Sequence, residues 1–508
     1  MRFNRPLEYL FLPLAFALVL FALLMLTANN YGIFTDELYY VACAQHLDFG
    51  YVDHPPFIAW VTRLSLLFGS SLYVLRVLPA LAGSGTIILA ALISRALGGG
   101  RFASAFASLT ILCGTFFWVM FGFVSMNAYD VFFVTLASYL FILILKKGSA
   151  HLWVLFGVVV GIGLNTKLSM LVIAFGLFVG LVLTPERRLF RTRFPYTAAA
   201  VAFALYFPHI LWQVVHGWPT VEFIRLAHEK NLDISVPGLL GQLAFTLNLF
   251  LLPVWLIGLV ELLSHRISTS MRPLGIAIVV YFVVYLMNRS KFYYLIPPIP
   301  VLLAAGAVTL DRLTEAHGKR WIRTAAIIPI VSMGIATLPF GLPVLPIESF
   351  VSYARLWGLQ GKIQMERNDA KVIPGYFGQR IGWDAFAKTV ASVYKALPDS
   401  DRTQCGILGF HYGESGAVDY FGPSLGLPRA IGRHMSYWLW GPREYSGKVM
   451  IVIISGPGRI DSFFRTVKLC TTYEFPYVDD QNRVKRIYLC RDPIEPMPKL
   501  WQRIKEFG

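Results

Sequence analysis

A series of apolar stretches, each about 17 to 22 residues long and repeated through roughly the first 340 residues, limits this fold more than any other feature. As helices, such runs cross a hydrocarbon core about 30 Å thick. Backbone at that depth has no water to bond, so helix is the conformation that satisfies it internally. Composition points the same way. Hydrophobic residues make up 56% of the 508 and charged residues 15%, too little charge to cover a soluble globule of this size. The tail beyond about residue 343 has no run long enough to span.

About eleven membrane helices are expected, near residues 8–28, 72–93, 102–121, 128–145, 150–166, 168–183, 195–214, 240–262, 273–288, 295–310 and 322–340. Arg2 and Arg5 before the first run have the outline of a signal peptide, but the run is long for one and no small-x-small site follows it. With the N-terminus inside, the basic clusters Arg95 and Arg101, Lys146 and Lys147, Arg187 to Arg193, Arg266 and Arg272, and Arg312 to Arg323 all fall in inside loops. That is the positive-inside pattern. It accounts for the net charge of +16 through topology and anionic lipid rather than nucleic acid. An odd number of spans then puts the tail outside the cytoplasm.

The expected organisation is therefore a polytopic α-helical membrane domain over residues 1–343, with an outer loop at 29–71, and a small extracytoplasmic α/β domain over 344–508. In the tail, 406–410 and 449–454 read as buried strands, 414–420 and 459–467 as helices, and 468–490 as a hairpin turning at Asp479 to Asn482. Cys470 and Cys490 flank that hairpin and form the favoured pair if an oxidising compartment closes a disulfide, with free thiols as the alternative. Gly157 and Gly161 have small-xxx-small spacing, a signature of close helix packing.

Candidate chemistry gathers on the outer side. Thr35 is a suitable N-cap that places Asp36 and Glu37 in a first helical turn, where the helix dipole favours carboxylate. Acidic residues there are also ordinary capping chemistry. The loop continues Gly50-Tyr51-Val52-Asp53-His54-Pro55-Pro56, a stiff turn that presents an acid and an imidazole. Asp130 lies about one turn into an otherwise apolar helix, and ionisable groups at that depth are usually functional. Lys167 is a lone cation at the outer end of another apolar run, suited to snorkelling or to phosphate. Arg289, Lys291, Tyr293 and Tyr294 put cations and phenols at the mouth of a helix, fitting either an aromatic belt or a lipid-linked phosphate. No P-loop, dinucleotide glycine pattern or His-Glu-x-x-His helix occurs, which argues against an energy-driven pump and a zinc protease.

Asp36-Glu37 after the first span, Gly50-Tyr51-x-Asp53-His54-Pro55-Pro56, Asp130 and the segment from Arg289 to Pro298 together resemble the C-type glycosyltransferases. These include protein O-mannosyltransferases, the aminoarabinose transferase of lipid A and a bacterial family named for Rhizobium lipopolysaccharide-core galacturonosyltransferases. The resemblance covers most of the membrane part. It implies transfer of a sugar from a polyprenyl-phosphate donor to an extracytoplasmic glycolipid, lipopolysaccharide, other glycan or protein, in a bacterial inner membrane. It further implies Asp36 as general base, Glu37 and Asp130 as acceptor-orienting or charge-stabilising groups, and Lys167, Arg289, Lys291, Tyr294 and His54 as ligands of the departing phosphate. Tyr51 and Asp53 would shape the loop. Some relatives place a divalent metal between acidic loops; here local cations are expected to suffice, and no essential metal or other cofactor is expected. The segments Tyr412 to Ala417 and Ser436 to Pro442 resemble a soluble extension of bacterial members, expected to be a structural cap. The competing reading is a flippase or transporter of lipid-linked sugars, which would need polar residues along helices at mid-membrane rather than at one face.

Overall fold

The computed structural model describes residues 9–227, 235–264, 271–359, 373–455, 460–478 and 483–508. The chain divides into two compact units. The first comprises Met1–Ala28, Tyr73–Leu211 and Leu232–Val344; the second comprises Asn29–Leu72, Trp212–Asn231 and Leu345–Gly508.

In the first unit, every expected span is occupied by helix, from Phe11–Leu26 through Trp321–Gly341. Among the described residues, four helices are long and apolar enough to cross a membrane singly: Leu72–Ala96, Met126–Lys147, Phe194–Val215 and Trp321–Gly341. Three bent pairs raise the number to as many as seven, and Phe11–Leu26, Ala150–Leu164 and Arg272–Met287 are shorter apolar helices. The spans expected at 102–121 and 240–262 are therefore broken rather than continuous. Arg101–Leu112 and Thr115–Phe121 meet at 68°, and Val236–Leu247 meets Leu249–Leu263 at 106°.

One buried side chain bonds backbone at both breaks. Asn248, at φ 150°, leaves the helical region. Its Oδ1 accepts from Phe250 N at 3.1 Å, while its Nδ2 donates to the carbonyls of Cys113 (3.1 Å) and Ile330 (3.0 Å). Irregular backbone at this depth needs such protein partners. Close packing at Gly157 and Gly161 is as expected: a Cβ on Gly157 would lie 2.5 Å from Ala198 O, and one on Gly161 2.9 Å from Leu205 Cβ.

The second unit carries the helices Thr35–Gln45 and Phe57–Leu66 of the loop after the first span, the helix Pro219–Ala227 and the tail. Its sheet has five strands: β1 (Cys405–Gly409), β2 (Ala430–Gly432), β3 (Val449–Ser455), β4 (Phe464–Glu474) and β5 (Val484–Pro493), in the order β2-β1-β3-β5-β4. β1 pairs in parallel with β2 and β3, with Ile407 opposite Ile451. β5 is antiparallel to β3 and β4. β1 is wholly buried and β3 nearly so, which is why they read as continuous apolar runs. Leu408, Ile431, Val452, Phe464, Cys490 and Trp501 belong to the core beside the sheet.

One expectation fails in the tail. The segment expected as a helix at 459–467 is a short 3₁₀ turn, Ile460–Ser462, followed by the start of β4. Thr466, Val467, Thr471 and Thr472 give it β-branched character, and as the edge strand it is mostly exposed. Of the two alternatives open for Cys470 and Cys490, the structure has the free thiols. The register sets buried Cys490 opposite Val467, while exposed Cys470 sits at a bulge between Leu469 and Thr471. The hairpin itself forms as expected; its turn, Asp479 to Asn482, lies outside the described residues.

Candidate active site

The expected site residues fall into two clusters, one in each unit. In the second unit, Tyr31 and Gly32 take positive φ and turn the chain out of the first span into the helix Thr35–Gln45. The N-cap is extended Phe34, not Thr35. Thr35 is instead the first helical residue, and its hydroxyl donates to Gln379 O at 3.1 Å. The cap is completed from within the helix, because fully buried Glu37 reaches back to accept from Phe34 N at 2.9 Å. That fixes the turn bearing Asp36, which is half-buried. Tyr412, from the tail, donates its hydroxyl to Asp36 Oδ1 at 2.7 Å.

The Gly50 to Pro56 loop is anchored by Tyr51, whose hydroxyl donates to Cys43 O at 3.0 Å. Tyr39 donates to Asp53 Oδ1 at 2.9 Å and lies 2.7 Å from Ser436 Oγ, which also accepts from Val52 N at 3.1 Å. Burial, and then the Asp53 carboxylate, hold the Tyr39 phenol well above its usual range. It therefore stays a donor. His54 is fully buried among the rings of Tyr39, Tyr40 and Tyr51. Its Nδ1 donates to Pro55 O at 2.8 Å, and its Nε2 lies 3.9 Å from both Cys43 Sγ and Asp53 Oδ1.

In the first unit, Ser125 caps the helix Met126–Lys147 by accepting from Asn127 N. Asp130 follows in the second turn, buried, with Ser169 Oγ donating to its Oδ1 at 2.5 Å and Lys167 Nζ 4.0 Å from its Oδ2. Lys167 donates to Asn127 Oδ1 at 2.6 Å and stands 4.0 Å over the Tyr294 ring. Tyr281 donates to Tyr294 O at 2.8 Å, pinning the segment that supplies that ring. Lys291 Nζ is 6.0 Å from the Tyr293 ring, and Arg289 is exposed at φ 44°. Asp130, Lys167 and Tyr294 are thus brought together within one unit, as are Asp36, Glu37, Tyr51, Asp53 and His54 in the other.

Tyr412, Ser436, Tyr39, Asn127 and Ser169 were not singled out as site residues from the sequence. Asn127 and Ser169 had a signal, lying three residues before Asp130 and two after Lys167. Tyr412 and Ser436 fall in the tail motifs, but nothing in their spacing names the outer loop as their partner. Among the described residues, no group of three or more His, Cys, Asp and Glu is disposed to hold a metal ion.

Residues 53–212 match the family described as dolichyl-phosphate-mannose-protein mannosyltransferase. The lipid A galacturonosyltransferase RgtD of Rhizobium johnstonii is 29% identical over 226 residues, 43% of this chain and 46% of the relative. The match thus spans about half the length of that relative. In fold the chain is similar to ArnT of Cupriavidus metallidurans bound to undecaprenyl phosphate, with a TM-score of 0.60, 16% identity and coverage of 94% of this chain and 97% of the other. The mycobacterial arabinofuranosyltransferase AftD matches with a TM-score of 0.51 and 14% identity, over 94% of this chain and 40% of its own. The Archaeoglobus fulgidus oligosaccharyltransferase, solved with zinc and sulfate, matches with a TM-score of 0.50 and 14% identity, over 83% of this chain and 62% of its own. The chain is thus similar in fold to ArnT over nearly its whole length, and its residues 53–212 match the mannosyltransferase family model.

Proposed function

We propose that the chain is an integral membrane glycosyltransferase that moves a sugar from a polyprenyl-phosphate donor to a hydroxyl of an extracytoplasmic acceptor. The observation that carries this reading is Asp36: a half-buried carboxylate in the first turn after the first span, its rotation held by a phenol donor at 2.7 Å. The similarity to a structure holding undecaprenyl phosphate supports the donor class. The lipid A galacturonosyltransferase relative makes lipid A the first acceptor to try and galacturonate the first sugar.

In this reading Asp36 takes the acceptor hydroxyl proton as the oxygen forms its bond to the anomeric carbon. The bond from that carbon to the phosphate oxygen breaks, and polyprenyl phosphate leaves with the electron pair. Asp130 stabilises positive charge developing on the sugar ring or orients the acceptor. Lys167, Arg289, Lys291 and Tyr294 neutralise and bond the phosphate as its charge grows. Glu37 holds the turn that carries Asp36, while Tyr51, Asp53 and His54 fix the loop beside it. The local cations make a divalent metal unnecessary, and the site acts on the outer face of a bacterial inner membrane.

The test is label transfer in membranes containing the chain, from undecaprenyl-phosphate-linked [14C]galacturonate to lipid A. Label on the acceptor is the expected result. Label that crosses the bilayer while still lipid-linked, with none on any acceptor, would replace this reading with a flippase.

A further inference from the structure

The tail motifs find their explanation at the helix that bears Asp36. The helix Tyr412–Leu425 lies against Thr35–Gln45 so closely that two positions admit no side chain without movement. A Cβ on Gly416 would sit 2.9 Å from Leu38 Cβ and 3.1 Å from its carbonyl carbon, and one on Gly413 would sit 2.7 Å from Thr35 Cγ2. Glycine here is needed for close approach of two backbones. The same helix starts at Tyr412, so the approach that these glycines permit is what delivers a phenol to the carboxylate.

The Tyr412 ring is clamped from several sides. Tyr39 lies 4.8 Å away, His411 4.1 Å away, and His434 is stacked on it at 5.1 Å and 10°. The start of its helix is held by buried Glu414, which accepts from Phe410 N at 2.9 Å and His411 N at 3.1 Å. Burial first, and then the Asp36 carboxylate, push the Tyr412 phenol well above its usual range. It remains a proton donor wherever the carboxylate is charged. The other titratable groups around this pair are Glu37, Tyr39, Tyr40 and Asp53 from the loop and its helix, and His411 and His434 from the tail.

We infer that Tyr412 is a positioning residue of the transfer site, through which the C-terminal domain fixes the rotation and basicity of the Asp36 carboxylate. The inference rests on the reading of Asp36 as general base. A hydrogen bond donated to a carboxylate favours its charged form and holds it in one rotamer, so the acceptor hydroxyl meets a pre-set base. The domain is then part of the catalytic device rather than a lid placed over it.

The test uses the full-length protein in proteoliposomes with Tyr412→Phe, which keeps the ring and its packing, alongside Asp36→Asn. Two readouts are taken: the pH–rate profile of transfer from undecaprenyl-phosphate-linked [14C]galacturonate to lipid A, and the infrared carboxyl titration of the substrate-free protein, with the Asp36 band assigned as the one lost in Asp36→Asn. Expected for Tyr412→Phe are a kcat lowered about tenfold with donor KM nearly unchanged, and an acidic limb and a carboxyl band that both move up by about one to two pH units. A merely structural tyrosine would move neither. Wild-type kcat with an unmoved band would overturn the inference while leaving the base assignment standing, provided Asp36→Asn is inactive. Full activity in Asp36→Asn would instead remove the base assignment, and the inference with it. If neither sugar nor acceptor is accepted by the wild type, the infrared band still decides whether Tyr412 sets the carboxylate.

Discussion

Glu37 offers a sharp separation between holding a site and doing its chemistry. Its side chain is fully buried and its Oε2 accepts from Phe34 N at 2.9 Å. Glu37→Ala strands that buried N–H, at a cost of about 1–3 kcal/mol. The lost cap accounts for much of this, so about 2 kcal/mol is a fair central value. At about 1.4 kcal/mol per factor of ten, the first turn of Thr35–Gln45 should open about 30-fold more often. Glu37→Gln keeps an amide oxygen in the same place and should change opening by less than about threefold. Hydrogen–deuterium exchange of the 33–42 peptide in the detergent-solubilised protein reads this directly. Transfer should follow the same order, with Gln near wild type and Ala well below it. Unchanged exchange in Glu37→Ala would refute the capping role. A Glu37→Gln variant with intact exchange but no transfer would show that the carboxylate takes part in the chemistry.

Lys167→Met should raise the donor KM at least tenfold, measured in the transfer assay, because it removes the cation beside Asp130 and Tyr294. Deep in the tail, Lys485 pairs with Glu414 at 3.0 Å, both nearly inaccessible to solvent. Lys485→Met should therefore destabilise the protein by about 3–5 kcal/mol, and adding Glu414→Gln should restore much of that, read as a thermal unfolding midpoint. Base catalysis in one displacement predicts inversion at the anomeric carbon, which NMR of the product linkage would show. Transfer after exhaustive treatment with EDTA should stay within about twofold of the untreated rate, since cations of the chain serve the phosphate; loss restored by added divalent metal would contradict that.

What was legible in the sequence is what apolar length and charge sign encode. Runs without charge read directly as helices, because lipid leaves the backbone no other partner. Asp130 and Lys167 stood out because a charge within such a run is costly. The breaks at Cys113 and Asn248 were invisible, since the runs stay apolar through them and the two bonds that Asn248 Nδ2 donates reach residues distant in sequence. The strand at 464–474 was misread for the opposite reason: an edge strand with a mostly exposed surface carries little period-two signal to set against a helix. Tyr412 and Ser436 were hidden by sequence distance. Tyr412 lies 376 residues from Asp36 and Ser436 lies 397 from Tyr39, and no local pattern reports such a pairing.

The central claim is that Asp36 is the base for sugar transfer. Its most direct test is the rate of label transfer from undecaprenyl-phosphate-linked [14C]galacturonate to lipid A by Asp36→Asn and wild type in matched membranes, with donor binding measured in parallel. The account predicts a loss of about 10²- to 10⁴-fold in transfer with donor binding retained. Undiminished transfer by Asp36→Asn would contradict it.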